Sequence, residues 1–191
     1  MEQTTRDSAL LVMDMQVPVF RILQDPSALL QNTVTAIAHA REHKIPVIHV
    51  IITFRNGAPE ISMNNKGFSP RKATWTPEAS EVYMKIHPDL APLVDEIIVT
   101  KRRVSAFTGS DLEVILRSLN IRHIVLTGIA TSGVVLSTLR EAADKDYRIT
   151  VLSDCCADAD EEVHRMLTSK VFPRQAEVMS VEEWMANAST N

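Results

Sequence analysis

Two residues of opposite charge stand at the ends of apolar segments of this sequence. Asp14 follows the apolar run Ser8 to Met13, and Lys101 follows the run Glu96 to Thr100. Runs of this kind predict strands that are buried on both faces, as in a parallel sheet. Burial raises the pKa of a carboxyl group unless a cation lies nearby, and Lys101 can be that cation. We therefore interpret the two residues as a candidate acid–base pair, although a carboxylate bonded to loop N–H groups and a solvated lysine would fit the same pattern.

A third candidate is the stretch Ile121 to Ala142, in which an apolar strand breaks at Gly128 and a helix follows. The first turn of a helix has N–H groups without intrahelical partners, so the stretch offers a place for a developing negative charge. The pattern predicts that the backbone of residues 128–133 lies where the strand ends and the helix begins.

The elements that must position these residues alternate between short apolar runs and segments with helical spacing. This alternation predicts a single three-layer α/β/α domain over residues 1–191, with a six-stranded, mostly parallel sheet. Ligands of such sheets bind at the carboxyl ends of the strands, and Asp14, Lys101, the Gly128 turn and Cys155-Cys156 all fall on that edge. The segment Phe54 to Pro77 has no periodicity and predicts a long binding loop.

Composition excludes several classes of protein. The chain has 191 residues, of which 45% are apolar and 23% charged, with a net charge of −4. These values are typical of a globular domain, and no basic surface for nucleic acid and no membrane-spanning run is expected. The cysteines are adjacent, which rules out a disulfide framework within the chain and fits a reducing, cytoplasmic location.

Three motifs in order along the chain resemble those of the isochorismatase-like hydrolase family. They are VMDMQ around Asp14, KRRVSAFTGSDL from Lys101, and TGIAT from Thr127. The resemblance covers nearly the whole chain. It implies that Asp14 and Lys101 are two members of a catalytic triad, that residues 130–134 form the oxyanion pocket, and that the peptide between Ile129 and Ala130 is cis. It also implies assembly into a homo-oligomer.

The third member of the family's triad is a cysteine just after this turn, and here the position holds Val134. Because valine cannot attack a carbonyl, the covalent amidase route is closed. Ser132 is a possible substitute, but a serine at a helix start is more typical of an N-cap. Cys155 or Cys156 is another possible substitute, but free cysteines are usually packing residues.

The resemblance implies a reaction that does not need the cysteine, since some isochorismatases in the family also lack it. Protonation of a vinyl ether gives an oxocarbenium ion that water captures, which requires a general acid. We therefore expect Asp14, oriented by Lys101, to hydrolyse a small anionic metabolite without a metal or other cofactor, and we favour a vinyl ether such as isochorismate over an amide. The alternative is a binding or regulatory protein that has kept the pocket and lost the chemistry.

Several further residues are expected to bind the substrate. Arg55 is assigned to a substrate carboxylate, and Phe107 to an aromatic wall of the pocket. Phe20 or Phe68 could also supply an aromatic wall, although such residues more often belong to the core. The remaining residues assigned to substrate binding are Gln16, Ala130, Thr131, Ser132, Gly133 and Val134.

Overall fold

A six-stranded parallel sheet organises the computed structural model, which describes residues 7–188. The strands are β1 (Ser8–Met13), β2 (Val47–Ile52), β3 (Ile97–Lys101), β4 (His123–Ile129), β5 (Arg148–Ala157) and β6 (Glu177–Met179). They lie in the order β3-β2-β1-β4-β5-β6, and every neighbouring pair is parallel. This confirms the predicted α/β fold. Residues 1–6 and 189–191 of the predicted domain lie outside the described part of the chain.

Helices cover both faces of this sheet. They are α1 (Ser27–Glu42), α2 (Ser69–Lys72), α3 (Pro77–Tyr83), α4 (Leu112–Ser118), α5 (Leu136–Asp144), α6 (Glu161–Met166) and α7 (Val181–Ala188). Residues of β1 point alternately to the two sides, so Leu11 and Met13 join the core beneath α4 and α5, and Leu10 and Val12 join the core beneath α1 and α7. The strands therefore read as continuous apolar runs.

Local sequence explains several helix ends. Thr76 caps α3 by accepting a hydrogen bond from the Ala79 amide at 3.2 Å, and Pro77 occupies the first helical position. Asp160 caps α6 by accepting from the amides of Glu162 and Val163. These caps fix where the chain turns back toward the sheet.

Two strands differ from their predicted form. β3 lies at the edge of the sheet, so Ile98 is 48% exposed rather than buried. β5 extends through Ala157 because its pairing with β4 shifts register between Leu126 and Gly128. As a result, Cys155 and Cys156 lie within the strand rather than after it.

Candidate active site

Asp14 and Lys101 meet at the carboxyl edge of the sheet. Asp14 follows β1, Lys101 is the last residue of β3, and β2 lies between these strands. Lys101 Nζ lies 2.9 Å from Asp14 Oδ2, and the lysine side chain is fully buried. At the end of β1 the Asp14 amide donates the last hydrogen bond from this strand to Val50 O, and the chain turns away from the sheet at Asp14 with a φ of 54°. The two strand ends therefore place a buried ion pair where the sequence predicted an acid–base pair.

Lys101 is held by more than this carboxylate. Its ammonium also donates to the carbonyl oxygens of Arg103 and Val104, each at 3.0 Å. An ammonium has three N–H donors, so these two carbonyls and Asp14 use all of them. Lys101 is thus a fixed charge with no donor left over.

The loop that carries these carbonyls is tied to α5. Ser105 and Thr108 both donate their hydroxyl hydrogens to Glu141 Oε2, at 2.6 and 2.8 Å, and the Ala106 amide donates to Thr138 Oγ1 at 3.0 Å. The SAFT sequence that follows the lysine therefore anchors the loop. By fixing the loop, it also fixes the acceptors that orient Lys101.

Burial has the largest effect on the pKa of the Asp14 carboxyl group. Loss of water raises the pKa of its carboxyl group above the ordinary value, and the positive charges of Lys101 and Arg71 only partly oppose that rise. Its Oδ1 is buried and has no hydrogen-bond partner among the described residues. A protonated Asp14 would therefore have an oxygen free to serve a bound molecule.

A cavity of about 210 Å³ adjoins this carboxyl group. The charged residues that line it are Asp14, Lys101 and Arg71. Most of the remaining wall is apolar or aromatic, with contributions from Pro18, Val19, Ile22, Ile52, Phe68, Tyr83, Val104 and Ile129. The cavity therefore suits a small ligand with an uncharged body.

The turn after β4 forms one wall of this cavity. Ala130, Gly133 and Val134 line it, and the peptide between Ile129 and Ala130 is cis, as the resemblance implied. The turn winds as a wide helical turn over Thr131–Val135 before α5 begins. Val134 is only 2% exposed, so an apolar side chain fills the position that a nucleophile would need.

Thr131 and Ser132 belong to this turn but do not line the cavity. Thr131 Oγ1 shares a hydrogen bond of 2.8 Å with His164 Nδ1, and the Ser132 amide donates to Asp158 Oδ2 at 2.7 Å. The Gly133 amide donates to Ala130 O. Two N–H groups of the predicted anion site are therefore already in use.

Gly128 permits the close approach of β4 and β1 beneath the turn. A Cβ atom at Gly128 would lie 2.7 Å from Met13 O and 3.3 Å from Val134 Cγ1. Since Met13 directly precedes Asp14, the missing side chain lets the acid and the turn share one cavity.

Three further residues that were assigned to substrate binding also lie outside the lining of this cavity. Arg55 forms an ion pair of 2.6 Å with Glu60, and its side chain is 69% exposed away from the cavity. Phe107 packs in the core against Tyr147, with ring centroids 5.8 Å apart. Gln16 is fully buried; its side-chain amide accepts a hydrogen bond of 2.9 Å from Ile52 N and donates one of 3.0 Å to Ile52 O. It therefore ties the segment after β1 to β2.

Arg71 and Tyr83 line the cavity although the sequence did not indicate them, and so does Phe68, which the sequence left open between core and pocket. Arg71 and Phe68 belong to the long segment between β2 and α3, where no periodicity gave a signal. This segment has its own apolar cluster, which includes Phe54, Phe68 and Trp75. The cluster folds the segment over the carboxyl edge of the sheet, and α2 thereby brings Arg71 to the cavity.

The cysteines are packed as core residues. Cys155 is fully buried, and Cys156 is 5% exposed with its Sγ 3.9 Å from Leu126 O. Burial raises the pKa of the Cys155 thiol and raises that of Cys156 to about 12. Neither thiol has the low pKa of a nucleophilic cysteine.

Residues 7–188 contain no cluster of three or more His, Cys, Asp or Glu side chains that could hold a metal ion. Within the same range, no helix has the length and apolar character needed to cross a bilayer.

Known proteins are similar to this chain in both sequence and fold. The isochorismatase domain model matches residues 8–183. An uncharacterised isochorismatase family protein, YecD of Escherichia coli O157:H7, is 40% identical over 51% of this chain and 52% of its own length. The uncharacterised family protein YwoC of Bacillus subtilis is 28% identical over 93% of this chain and 92% of its own.

A solved structure extends the similarity to three dimensions. An isochorismatase family protein from Burkholderia thailandensis superposes with a TM-score of 0.82 at 28% identity, over 96% of both chains.

Proposed function

Because the chain belongs to the isochorismatase family of hydrolases, we propose that it hydrolyses a small anionic vinyl ether with Asp14 as general acid and without a covalent intermediate. The observation that carries this proposal is the state of Asp14. Its carboxyl group lines the cavity, has a raised pKa, and keeps Oδ1 unpartnered among the described residues. A carboxylic acid in that state can give up a proton to a substrate.

The proposed reaction uses one water molecule and no other reagent. Asp14 protonates the terminal carbon of the vinyl ether, which leaves an oxocarbenium ion and an Asp14 carboxylate. Water adds to the cation and returns a proton to Asp14, and the resulting hemiketal breaks into a carbonyl compound and an alcohol. Lys101 keeps the carboxyl group in place and balances its charge between the two proton transfers.

We further propose that Arg71, and not Arg55, pairs with the carboxylate of the substrate. Arg71 lines the cavity and lies near enough to lower the pKa of Asp14, whereas Arg55 is held by Glu60 outside it. An arginine guanidinium can hold a carboxylate by two parallel hydrogen bonds.

Amide hydrolysis has less support. It would need a nucleophile beside the turn, and Val134 occupies that place while both thiols are buried. Ser132 lies on the exposed side of the turn and does not line the cavity.

A second candidate function is ligand binding without catalysis. It is favoured by Val134 and by the turn amides of Ser132 and Gly133, which are bonded within the protein. It is disfavoured by the buried pair of Asp14 and Lys101, since the desolvation of two charges is costly and a pure binding site has no need of it.

The test is a hydrolysis screen of small vinyl ethers and amides with the native chain, Asp14→Asn and Val134→Cys. The asparagine side chain would keep the shape of the native one but could not supply the proton, so we expect turnover of vinyl ethers to fall by about 100-fold or more in Asp14→Asn. Thermal unfolding of each variant controls for misfolding.

Three results would contradict the proposal in different ways. Full vinyl-ether turnover by the Asp14→Asn variant would refute the acid mechanism. Turnover of amides by the native chain would show that another group replaces the cysteine. Absence of turnover in both classes would favour the binding protein. A homo-oligomeric state and a cytoplasmic location stay predictions.

A further inference from the structure

The charges that line the cavity give information about the substrate. Among the residues that the structure describes, its walls hold one carboxyl group, Asp14, and two cations, Lys101 and Arg71. These two cations differ in how far their donors are already used. The number of cations with free donors limits how many negatively charged groups of a ligand the cavity can bind.

Lys101 has no free N–H donor for a ligand. Its ammonium bonds Asp14 Oδ2 and the carbonyl oxygens of Arg103 and Val104, which accounts for its three donors. Its side chain has no exposed surface. A ligand anion that approached it would have to displace one of these acceptors and leave that acceptor buried without a partner.

Arg71 is in the opposite state. Within residues 7–188 its guanidinium has no ion pair and no hydrogen bond, and it lies 5.9 Å from the centroid of the Phe68 ring. Three other arginines have partners within the protein: Arg55 pairs with Glu60, Arg102 donates to Thr53 O and Arg103 donates to Glu60 O. The cavity therefore presents a single uncommitted cation.

We propose that the substrate carries one carboxylate, bound by Arg71, and no other charge. This inference rests on the proposed function and narrows its substrate class to carboxyvinyl ethers of small uncharged alcohols. A second carboxylate, as in isochorismate, would meet a wall that is otherwise mostly apolar and that offers no second free cation among the described residues, so each part of its water that it lost would go uncompensated. The volume of about 210 Å³ restricts the alcohol to a small one, because pockets for drug-sized ligands have volumes of about 300–1,000 Å³.

The reaction of this class is balanced without a cofactor. The substrate CH₂=C(OR)–CO₂⁻ and one water molecule give pyruvate and the alcohol ROH. The CH₂ carbon takes its proton from Asp14, and the water that adds returns a proton to Asp14. The C–O bond to R–O then breaks, and the alcohol leaves with a proton from the Asp14 carboxyl while the hemiketal hydroxyl gives its own proton back to Asp14. The carboxylate stays on Arg71 throughout.

Three probes with the same vinyl ether group test the charge count. They are α-methoxyacrylate, which has one carboxylate, its neutral methyl ester, and α-(carboxymethoxy)acrylate, which has two. Release of pyruvate or methyl pyruvate is followed by NMR at fixed ionic strength. We expect kcat/KM for the singly charged probe to exceed that for the doubly charged probe by about 10-fold or more.

Variants then assign the carboxylate to Arg71. In Arg71→Gln we expect KM for α-methoxyacrylate to rise by about 10- to 100-fold while KM for the neutral ester changes little. Arg71→Lys keeps the charge and should recover part of the loss. Arg55→Gln is the matched control, because that arginine lies outside the cavity and its loss should leave all three probes unchanged.

The outcomes separate this inference from the function on which it rests. If the doubly charged probe is hydrolysed as well as or better than the singly charged one, the charge count is wrong and vinyl-ether hydrolysis still stands. If Arg71→Gln affects the neutral ester as much as the acid, Arg71 is not the carboxylate partner. If none of the probes is hydrolysed, the proposed function fails and this inference fails with it.

Discussion

The substitution Lys101→Met would test how the buried ion pair is balanced. Methionine keeps the unbranched apolar stem of lysine and removes its charge. The native side chain is fully buried, with Asp14 Oδ2 at 2.9 Å and the carbonyl oxygens of Arg103 and Val104 at 3.0 Å. The substitution would therefore leave three buried acceptors without their donor.

The expected loss of stability depends on pH. The two carbonyl bonds have a charged donor and contribute about 1.5–3 kcal/mol each at any pH. Leaving an ionised Asp14 without its partner costs about 3–5 kcal/mol, but the carboxyl group can avoid this cost by keeping its proton. We therefore expect a loss of about 3–6 kcal/mol near pH 5, and a larger loss near pH 8, where the ionised carboxylate adds about 3–5 kcal/mol.

The sign follows from the pKa of Asp14. Burial holds this pKa above its value in the unfolded chain, so the folded protein keeps a proton that the unfolded chain has lost. Stability is therefore highest below the unfolded pKa and falls as the pH rises toward the folded pKa. Without Lys101 the folded pKa rises further, and each additional unit costs about 1.4 kcal/mol once the pH lies above it.

Urea unfolding of the native chain and of Lys101→Met near both pH values measures this difference. Adding Asp14→Asn to the variant removes the unpaired charge, so it should recover the part of the loss near pH 8 that comes from the ionised carboxylate and change little near pH 5. A loss that is equal at the two pH values, or larger near pH 5, would refute this account of the pair.

Two further predictions concern the turn and the thiols. Gly128→Ala should destabilise the protein by about 1–3 kcal/mol in urea unfolding, because the new Cβ would lie 2.7 Å from Met13 O, whereas Gly67→Ala should change little since its nearest neighbour is 3.6 Å away. Equal effects of the two substitutions would contradict the close approach of β1 and β4. Cys155 and Cys156 should resist iodoacetamide near pH 8 in the folded protein and react after unfolding in urea, because both are buried and have raised thiol pKa values. Rapid labelling of the folded chain, read by mass spectrometry, would contradict their role as packing residues.

The sequence predicts those parts of the site that regular structure positions. Asp14 and Lys101 end apolar strands, and parallel strands bring their carboxyl ends to one edge whatever the loops do. The turn at Gly128 follows from the same alternation of strand and helix. For these residues, a position relative to a strand end was enough to infer proximity.

Residues on irregular segments could not be placed in this way. Arg55 and Arg71 lie in the same long loop, and nothing in the sequence ranks one above the other. Contacts within the loop determine which arginine faces the cavity. The Trp75 indole donates to Phe54 O at 3.0 Å, and Glu60 forms an ion pair with Arg55. The assignment of Phe107 to the pocket was wrong for the same reason, because the loop after β3 has no periodicity that shows which way a side chain points.

The opposing influences on Asp14 suit the two halves of the proposed reaction. A nearby ammonium favours an ionised carboxylate, which is at odds with a general acid, but burial outweighs Lys101 and leaves the pKa of Asp14 raised. Burial thus holds the proton before the substrate reacts. Once the proton has moved to the substrate, the same ammonium at 2.9 Å stabilises the carboxylate that remains, until water restores the acid. Burial or Lys101 alone would favour only one of these states, which is why we expect both to be needed for turnover.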